Sequence, residues 1–250
     1  MLVLGIETST AQSSVCLGTQ RGLVASARVC AGPRHGEFTA TAVRFCLDQA
    51  SLQIGDVHGV AVSLGPGLYT GMRVGIATAQ ALAHARRLPV VGLASLDLLA
   101  FRARHVRRLI CSVLDARRGE LFWAFYRGAP GGVQRVSEFR VGRPDKLAGE
   151  IEAMGDDVLA IGDGAIEHRA LLESTGSCVG SWSTAHPDAD ALVELSLPRF
   201  IREDTQRPEE LVPIYLRKAD ARIGWRQRGA LRGGTAPSAA RVRAGDDHGP

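Results

Sequence analysis

Two nearly continuous apolar runs in this chain each close on an acid: Leu2-Val-Leu-Gly-Ile-Glu7 and Leu109-Ile-Cys-Ser-Val-Leu-Asp115. Runs of this length without polar alternation predict strands buried on both faces. Each is followed by a polar turn, Thr8-Ser-Thr-Ala-Gln in the first case and Ala116-Arg-Arg-Gly in the second. Further strand-like segments come next. Residues 14–18 and 23–29 follow the first turn, with Gln20-Arg-Gly as their hairpin, and residues 121–126 and 133–139 follow the second. Helical spacing then predicts helices over 36–50 and 71–87 in the first half, the latter stopped by Pro89. In the second half it predicts helices over 146–154 and 165–172. Strands are expected at 59–63, 90–92 and 158–161, a short helix capped by Ser95 through residue 100, and a last long helix over 188–202. Two architectures fit this pattern: a duplicated α/β unit forming two lobes, or one mixed sheet without a repeat.

Composition narrows the function classes. The 250 residues are 45% hydrophobic, enough to bury a substantial core. No run of about 18 apolar residues is present, and the N-terminus lacks a basic stretch before its apolar one, so a cytoplasmic protein is expected, with no membrane span. The five cysteines are scattered and never form C-x-x-C, which argues against a disulfide framework or a zinc knuckle; most are expected to be buried. The net charge of +4 resides in the C-terminal segment: residues 222–250 hold six arginines and two acids, and the remainder balances at 24 basic and 24 acidic residues. The body therefore carries no basic footprint for nucleic acid. Residues 226–250, rich in Gly, Ala, Arg, Pro and Ser without apolar periodicity, are expected to be disordered.

Several segments invite a chemical reading. Ser63-Leu-Gly-Pro-Gly-Leu-Tyr-Thr-Gly-Met-Arg-Val-Gly75 feeds a strand through a Gly-Pro-Gly turn into a helix that Thr70 is placed to cap. The segment reads either as an anion site at a helix N-terminus or as a tight connection whose glycines allow close packing; no Gly-Lys-Ser/Thr follows. The helix is rich in small residues (Gly71, Gly75, Ala77, Thr78, Ala79, Ala81, Ala83, Ala85), which suit close approach of a second helix. None of the seven histidines pairs at i+3 or i+4, so no H-E-x-x-H metal helix exists. His35 precedes a helix and is either a functional loop residue or a cap. Asp115-Ala-Arg-Arg-Gly-Glu120 reads as a catalytic acid pair or as a solvated turn with local ion pairs. Spacing alone proposes no Ser/His/Asp or Cys/His arrangement.

Four motifs, in order, resemble one family. They are Leu4-Gly-Ile-Glu-Thr-Ser-Thr10, Gly65-Pro-Gly-Leu-Tyr-Thr-Gly-Met-Arg-Val-Gly75, Asp115-Ala-Arg-Arg-Gly-Glu-Leu-Phe-Trp-Ala124 and Pro213-Ile-Tyr-Leu-Arg217. This set is similar to the TsaB (YeaZ) family, the bacterial partners of TsaD in threonylcarbamoyladenosine synthesis at tRNA position 37. The resemblance runs from residue 2 to about residue 217. It implies an actin/sugar-kinase-like (ribonuclease H-like) α/β fold with two similar lobes of mixed sheet flanked by helices. The first lobe would span residues 1–103, completed by a returning helix over about 188–217, and the second, smaller lobe residues 104–187.

The resemblance also implies a role. In TsaD the stretch Gly-Val-Asn-His-x-x-x-His supplies paired metal-binding histidines; the matching stretch here is Gly92-Leu-Ala-Ser-Leu-Asp-Leu-Leu99, with Ser95 and Leu99 at the two histidine positions. Leucine has no lone pair to donate, so the chain is expected to be a non-catalytic scaffold, with no catalytic residue, cofactor or metal ligand of its own. Its expected partner is a TsaD-like subunit serving tRNAs that read codons beginning with A. A TsaE-like ATPase would join the assembly, and a homodimer would compete for the same surface. The implied interface lies on the two first-lobe helices, with Phe38, Ala42, Phe45, Val74, Ala77, Thr78 and Ala81 as its candidate residues. Two rival readings stand: a small actin-fold kinase or transferase using Glu7 and Asp115 around a nucleotide, and a metalloprotease of the glycoprotease type.

Overall fold

A computed structural model describes residues 1–30 and 35–217; the expectation of disorder over 226–250 lies outside them. Strand β1 (Leu2–Glu7) pairs antiparallel with β2 (Gln12–Thr19), which turns back through Gln20 and Arg21 into β3 (Gly22–Cys30). After helix α1 (His35–Gln49), β4 (Gly59–Ser63) pairs parallel with β1; after helix α2 (Tyr69–Arg86), β5 (Val90–Leu93) pairs parallel with β4. The strand order is β3-β2-β1-β4-β5.

Helix α3 (Ser95–Phe101) leads to a second sheet of β6 (Leu109–Arg117), β7 (Glu120–Ala129), β8 (Gly132–Arg135), β9 (Arg140–Gly142), β10 (Val158–Ile161) and β11 (Cys178–Val179). Its order, β8-β7-β6-β10-β11 with β9 also on β7, repeats the first sheet strand for strand. Of the two architectures the pattern allowed, the duplicated one is found: two mixed sheets with the same strand order, flanked by helices.

Alternation along each strand explains the layers. Leu2, Leu4 and Ile6 face α1 and α2 in one core cluster, while Val3 faces the other way, toward α7 (Ala189–Ile201) with Leu192, Val193 and Phe200. In β7, Leu121, Trp123 and Phe125 face α4 (Pro144–Met154), and Phe122, Ala124 and Tyr126 face α3. Helix α3 joins the two sheets: Leu98 belongs to the α7 layer of the first sheet, and Leu96 and Leu99 belong to the core of the second. Side chains on both faces of such a strand are removed from water, which is why the runs are nearly continuously apolar.

Four expectations need correction. Thr70 does not cap α2. The Leu68 amide donates to the Ser9 carbonyl at 2.7 Å, and the helix starts at Tyr69, leaving Thr70 inside its first turn. Ser95 is the first residue of α3 rather than its cap, and its hydroxyl donates to the Pro66 carbonyl at 2.5 Å. The strand expected over 133–139 is split between β8 and β9, because the Ser137 hydroxyl accepts from the Phe125 amide at 2.9 Å and takes that place in the ladder. The helix expected over 165–172 is two short ones, α5 (Asp163–Glu167) and α6 (Arg169–Ser174), separated at His168, whose φ of −105° and ψ of 27° lie outside the helical basin.

Candidate partner interface

Helix α2 lies on the first sheet because its inward row is built of small residues. Gly71, Gly75, Ala79 and Ala83, each four residues apart, are all buried. A Cβ on Gly71 would stand 2.1 Å from the Thr8 carbonyl oxygen, and one on Gly75 would stand 2.4 Å from the Thr8 hydroxyl. The Thr8 hydroxyl donates to the Gly71 carbonyl at 2.8 Å, tying the helix to the turn after β1. The Gly-Pro-Gly turn follows the same logic: a Cβ on Gly67 would meet the Ser9 carbonyl at 2.1 Å. Close packing is thus the role of these glycines, and the Leu68 amide at the helix entrance is already spent on Ser9.

The outward row of the same helix is Tyr69, Arg73, Ala77, Ala81 and Ala85, again four residues apart and all exposed. Val74 and Thr78 lie half-buried at its side, and the Thr78 hydroxyl donates to the Val74 carbonyl at 2.8 Å, so it makes no demand on a neighbour. On α1, Phe45 is 50% exposed and Phe38 is half-buried against the core. Six of the seven predicted interface residues therefore reach the surface. Ala42 does not: only 3% of it is exposed, because it sits on the inward row of α1 with Thr39, Val43 and Cys46. A partner touching this face cannot reach it.

The structure adds residues that the sequence did not single out. At the N-terminal end of the outward row, the Tyr69 and Tyr215 rings stack with centroids 5.5 Å apart. The Arg73 guanidinium lies 4.0 Å above the Tyr69 ring, and its Nε donates to the Tyr215 hydroxyl at 2.9 Å. Tyr69 and Arg73 share the i+4 row of Ala77 and Ala81, which was a usable signal; Tyr215 is 142 residues from Arg73, so no local pattern pointed to it.

The groups proposed for chemistry are engaged differently. Glu7 is fully buried and accepts from the Ser9 amide at 2.5 Å; burial pushes its carboxyl above the ordinary value of 4.5. Asp115 accepts from the Arg117 amide at 2.6 Å and pairs with the Arg117 guanidinium at 3.1 Å, the local ion pair of a turn. His35 neither caps α1 nor reaches solvent: it is the first residue of the helix, 3% exposed, with Nδ1 2.7 Å from the Ser13 hydroxyl. Ser95 and Leu99 are both fully buried. Three of the five cysteines are buried, and Cys30 and Cys178 are exposed.

The chain matches the family model for TsaD, tRNA N6-adenosine threonylcarbamoyltransferase, over residues 29–225. It belongs to that family, in its TsaB (YeaZ) branch. The Escherichia coli tRNA threonylcarbamoyladenosine biosynthesis protein TsaB is 27% identical over 232 residues, covering 91% of this chain and 98% of the relative. An uncharacterized protein of Mycobacterium tuberculosis is 33% identical over 88% of this chain and 93% of its own length. Among solved structures, YeaZ from Pseudomonas aeruginosa superposes with a TM-score of 0.73 at 25% identity, covering 86% of this chain and 99% of that one. On the TsaB background, Ser95 and Leu99 do not fit the paired metal-binding histidines implied for TsaD: one gives its proton to a backbone carbonyl and the other is sealed in an apolar core.

Proposed function

We propose that this chain is the non-catalytic partner of a TsaD-like transferase in threonylcarbamoyladenosine formation on tRNA, and that it works by docking. The observation that carries this reading is the pairing of two facts. The positions that would hold catalytic metal ligands are packed into the core as Ser95 and Leu99, and α2 leaves a row of small side chains, Ala77 and Ala81, open to solvent. A helix with alanines along its outer row lets a second helix approach closely, at the short end of the usual 8–10 Å interaxial range. Val74 and Thr78 lie beside that row on α2, and Phe38 and Phe45 stand on the neighbouring helix α1. Residues 1–103, with the returning helix α7, act as the docking lobe; residues 104–187 form the second lobe.

In this reading the heterodimer with the TsaD-like subunit uses the α1–α2 face, and a homodimer through the same face competes with it. A TsaE-like ATPase joins the larger assembly, tRNA is met only through that assembly, and the work is done in the cytoplasm. Relatives named for threonylcarbamoyladenosine biosynthesis over nearly their whole length favour this reading over the kinase and glycoprotease alternatives. The test is co-elution of the purified chain with its TsaD-like subunit on gel filtration. Ala77→Arg and Ala81→Arg are expected to abolish co-elution while leaving the circular dichroism spectrum unchanged. Folded variants that still co-elute would mean that a different surface is used.

A further inference from the structure

Strand β3 is an edge strand, and one of its faces contacts the first turn of α7 and the segment before it. The Ser26 hydroxyl donates to Asp190 Oδ1 at 2.7 Å. Arg28 donates to Asp190 Oδ2 at 2.6 Å and pairs with Asp188 at 3.5 Å. The next residue on that face, Cys30, places its sulfur 3.7 Å from His186 Nε2. On the other side of the ring, His186 Nδ1 lies 3.7 Å from Asp163 Oδ2. Asp163 is itself held by its other oxygen, which accepts from the Asp115 amide at 3.0 Å and the Gly164 amide at 2.8 Å. His186 is anchored through its backbone: its carbonyl accepts from Arg102 Nη1 at 3.4 Å, and the next carbonyl, of Pro187, accepts from Gln12 at 3.1 Å.

Nucleophile, base and orienting carboxylate thus stand in line across three separate elements, each fixed by contacts of its own. Such linear order is what an activated thiol requires: the imidazole takes the thiol proton and the carboxylate steadies the ring. The ring nitrogen facing Asp163 is buried and has no hydrogen-bond partner among the described residues. Both separations are 3.7 Å, and catalytic hydrogen bonds are commonly this long in sites without substrate. The charged groups facing the site are Arg28 on β3, Arg102 after α3, Asp163 on α5 and Asp188 at the start of α7. The line does not converge on a point; among the described residues no three His, Cys, Asp or Glu groups surround a common metal position.

We propose that Cys30, His186 and Asp163 form a thiol–imidazole–carboxylate site at which Cys30 undergoes exchange with small disulfides. In the step, the Cys30 S–H proton passes to His186 Nε2 and the sulfur attacks one sulfur of the disulfide. The old S–S bond breaks, a new one forms to Cys30, and the departing thiolate takes the proton back from His186. The protein thiol is oxidised to a mixed disulfide and half of the reagent is reduced to a thiol, so no further oxidant is needed. Burial lowers the affinity of His186 for a proton, which leaves its nitrogen free to accept one at neutral pH.

Cys178, the other exposed cysteine, is an internal comparison, because it has the Arg108 guanidinium beside it and, among the described residues, no hydrogen bond to an imidazole. The experiment treats the full chain with an aromatic disulfide whose released thiolate is coloured, and locates the label by peptide mass spectrometry. Cys30 is expected to react at least about tenfold faster than Cys178 at pH 7. His186→Ala and Asp163→Asn, checked for fold by circular dichroism, are expected to slow Cys30 by about tenfold and to leave Cys178 unchanged. Equal rates for the two thiols in the unsubstituted chain would overturn the proposal without recourse to any variant, and so would a folded His186→Ala protein that reacts as fast as its parent.

Discussion

Thr8 sets how near α2 comes to the first sheet, through its carbonyl against Gly71 and its hydroxyl against Gly75. Gly71→Ala forces the helix off this seat, since backbone oxygen, unlike a flexible side-chain tip, has nowhere to go. A loss of about 1–3 kcal/mol is expected, read as a lower denaturant midpoint. Glu7 makes a different kind of prediction. Its folded pKa is raised by burial, so its contribution is fully present below the ordinary 4.5 and is lost as pH rises through the folded value. Glu7→Gln removes that loss: relative to the parent, the variant is expected to gain stability as pH climbs above 4.5, measured by urea titrations across the acid-to-neutral range. A parent and variant whose stabilities run parallel over that range would contradict the buried-charge account.

Among the elements, α7 shows how one residue ties several together. Asp188 caps it, accepting from the Ala191 amide at 2.9 Å, and its other oxygen pairs with Arg102 at 2.7 Å and Arg28 at 3.5 Å. Asp188→Ala removes the cap and leaves Arg102 without its carboxylate, so about 2–4 kcal/mol of stability should be lost in thermal or chemical unfolding. Elements of this kind were legible in the sequence where the signal was local. The buried runs of β1 and β6, the stop at Pro89 and the long α7 all follow from apolar period and punctuation. Elements set by distant partners were not. The two-residue strand β11 exists because Leu159 and Ala160 offer it an edge, and β8 and β9 separate because Ser137 intrudes on the Phe125 amide. The entry to α2 was misread for the same reason: the Ser9 carbonyl, which fixes Leu68, lies far away in sequence.

At the scale of the molecule, the last described segment straps the two sheets together. The Ile214 amide donates to the Leu64 carbonyl at 2.8 Å on the first lobe, while Arg217 reaches the Ala116 carbonyl at 3.2 Å and the Glu120 carboxylate on the second. Tyr215 lies between these anchors and completes the aromatic cluster beside the open row of α2. Arg217→Ala is therefore expected to raise hydrogen exchange at both Leu64–Ile214 and the β6–β7 turn, whereas a strap without structural role would leave both unchanged. The candidate interface itself was half legible. Alanines repeating every four residues were visible from the start, but their sorting into an inward and an outward row, and the withdrawal of Ala42 into the core, depended on which side of each helix met the sheet. The account as a whole holds that this chain docks and does not catalyse, and reconstitution tests it most directly. Unmodified tRNA is incubated with a threonylcarbamoyl donor and either this chain alone, the TsaD-like subunit alone, or both, and threonylcarbamoyladenosine is measured by mass spectrometry. The nucleoside is predicted to form with both proteins, to fall sharply when Ala81→Arg replaces the parent chain, and not to form with this chain alone; its formation by the isolated chain would contradict the account.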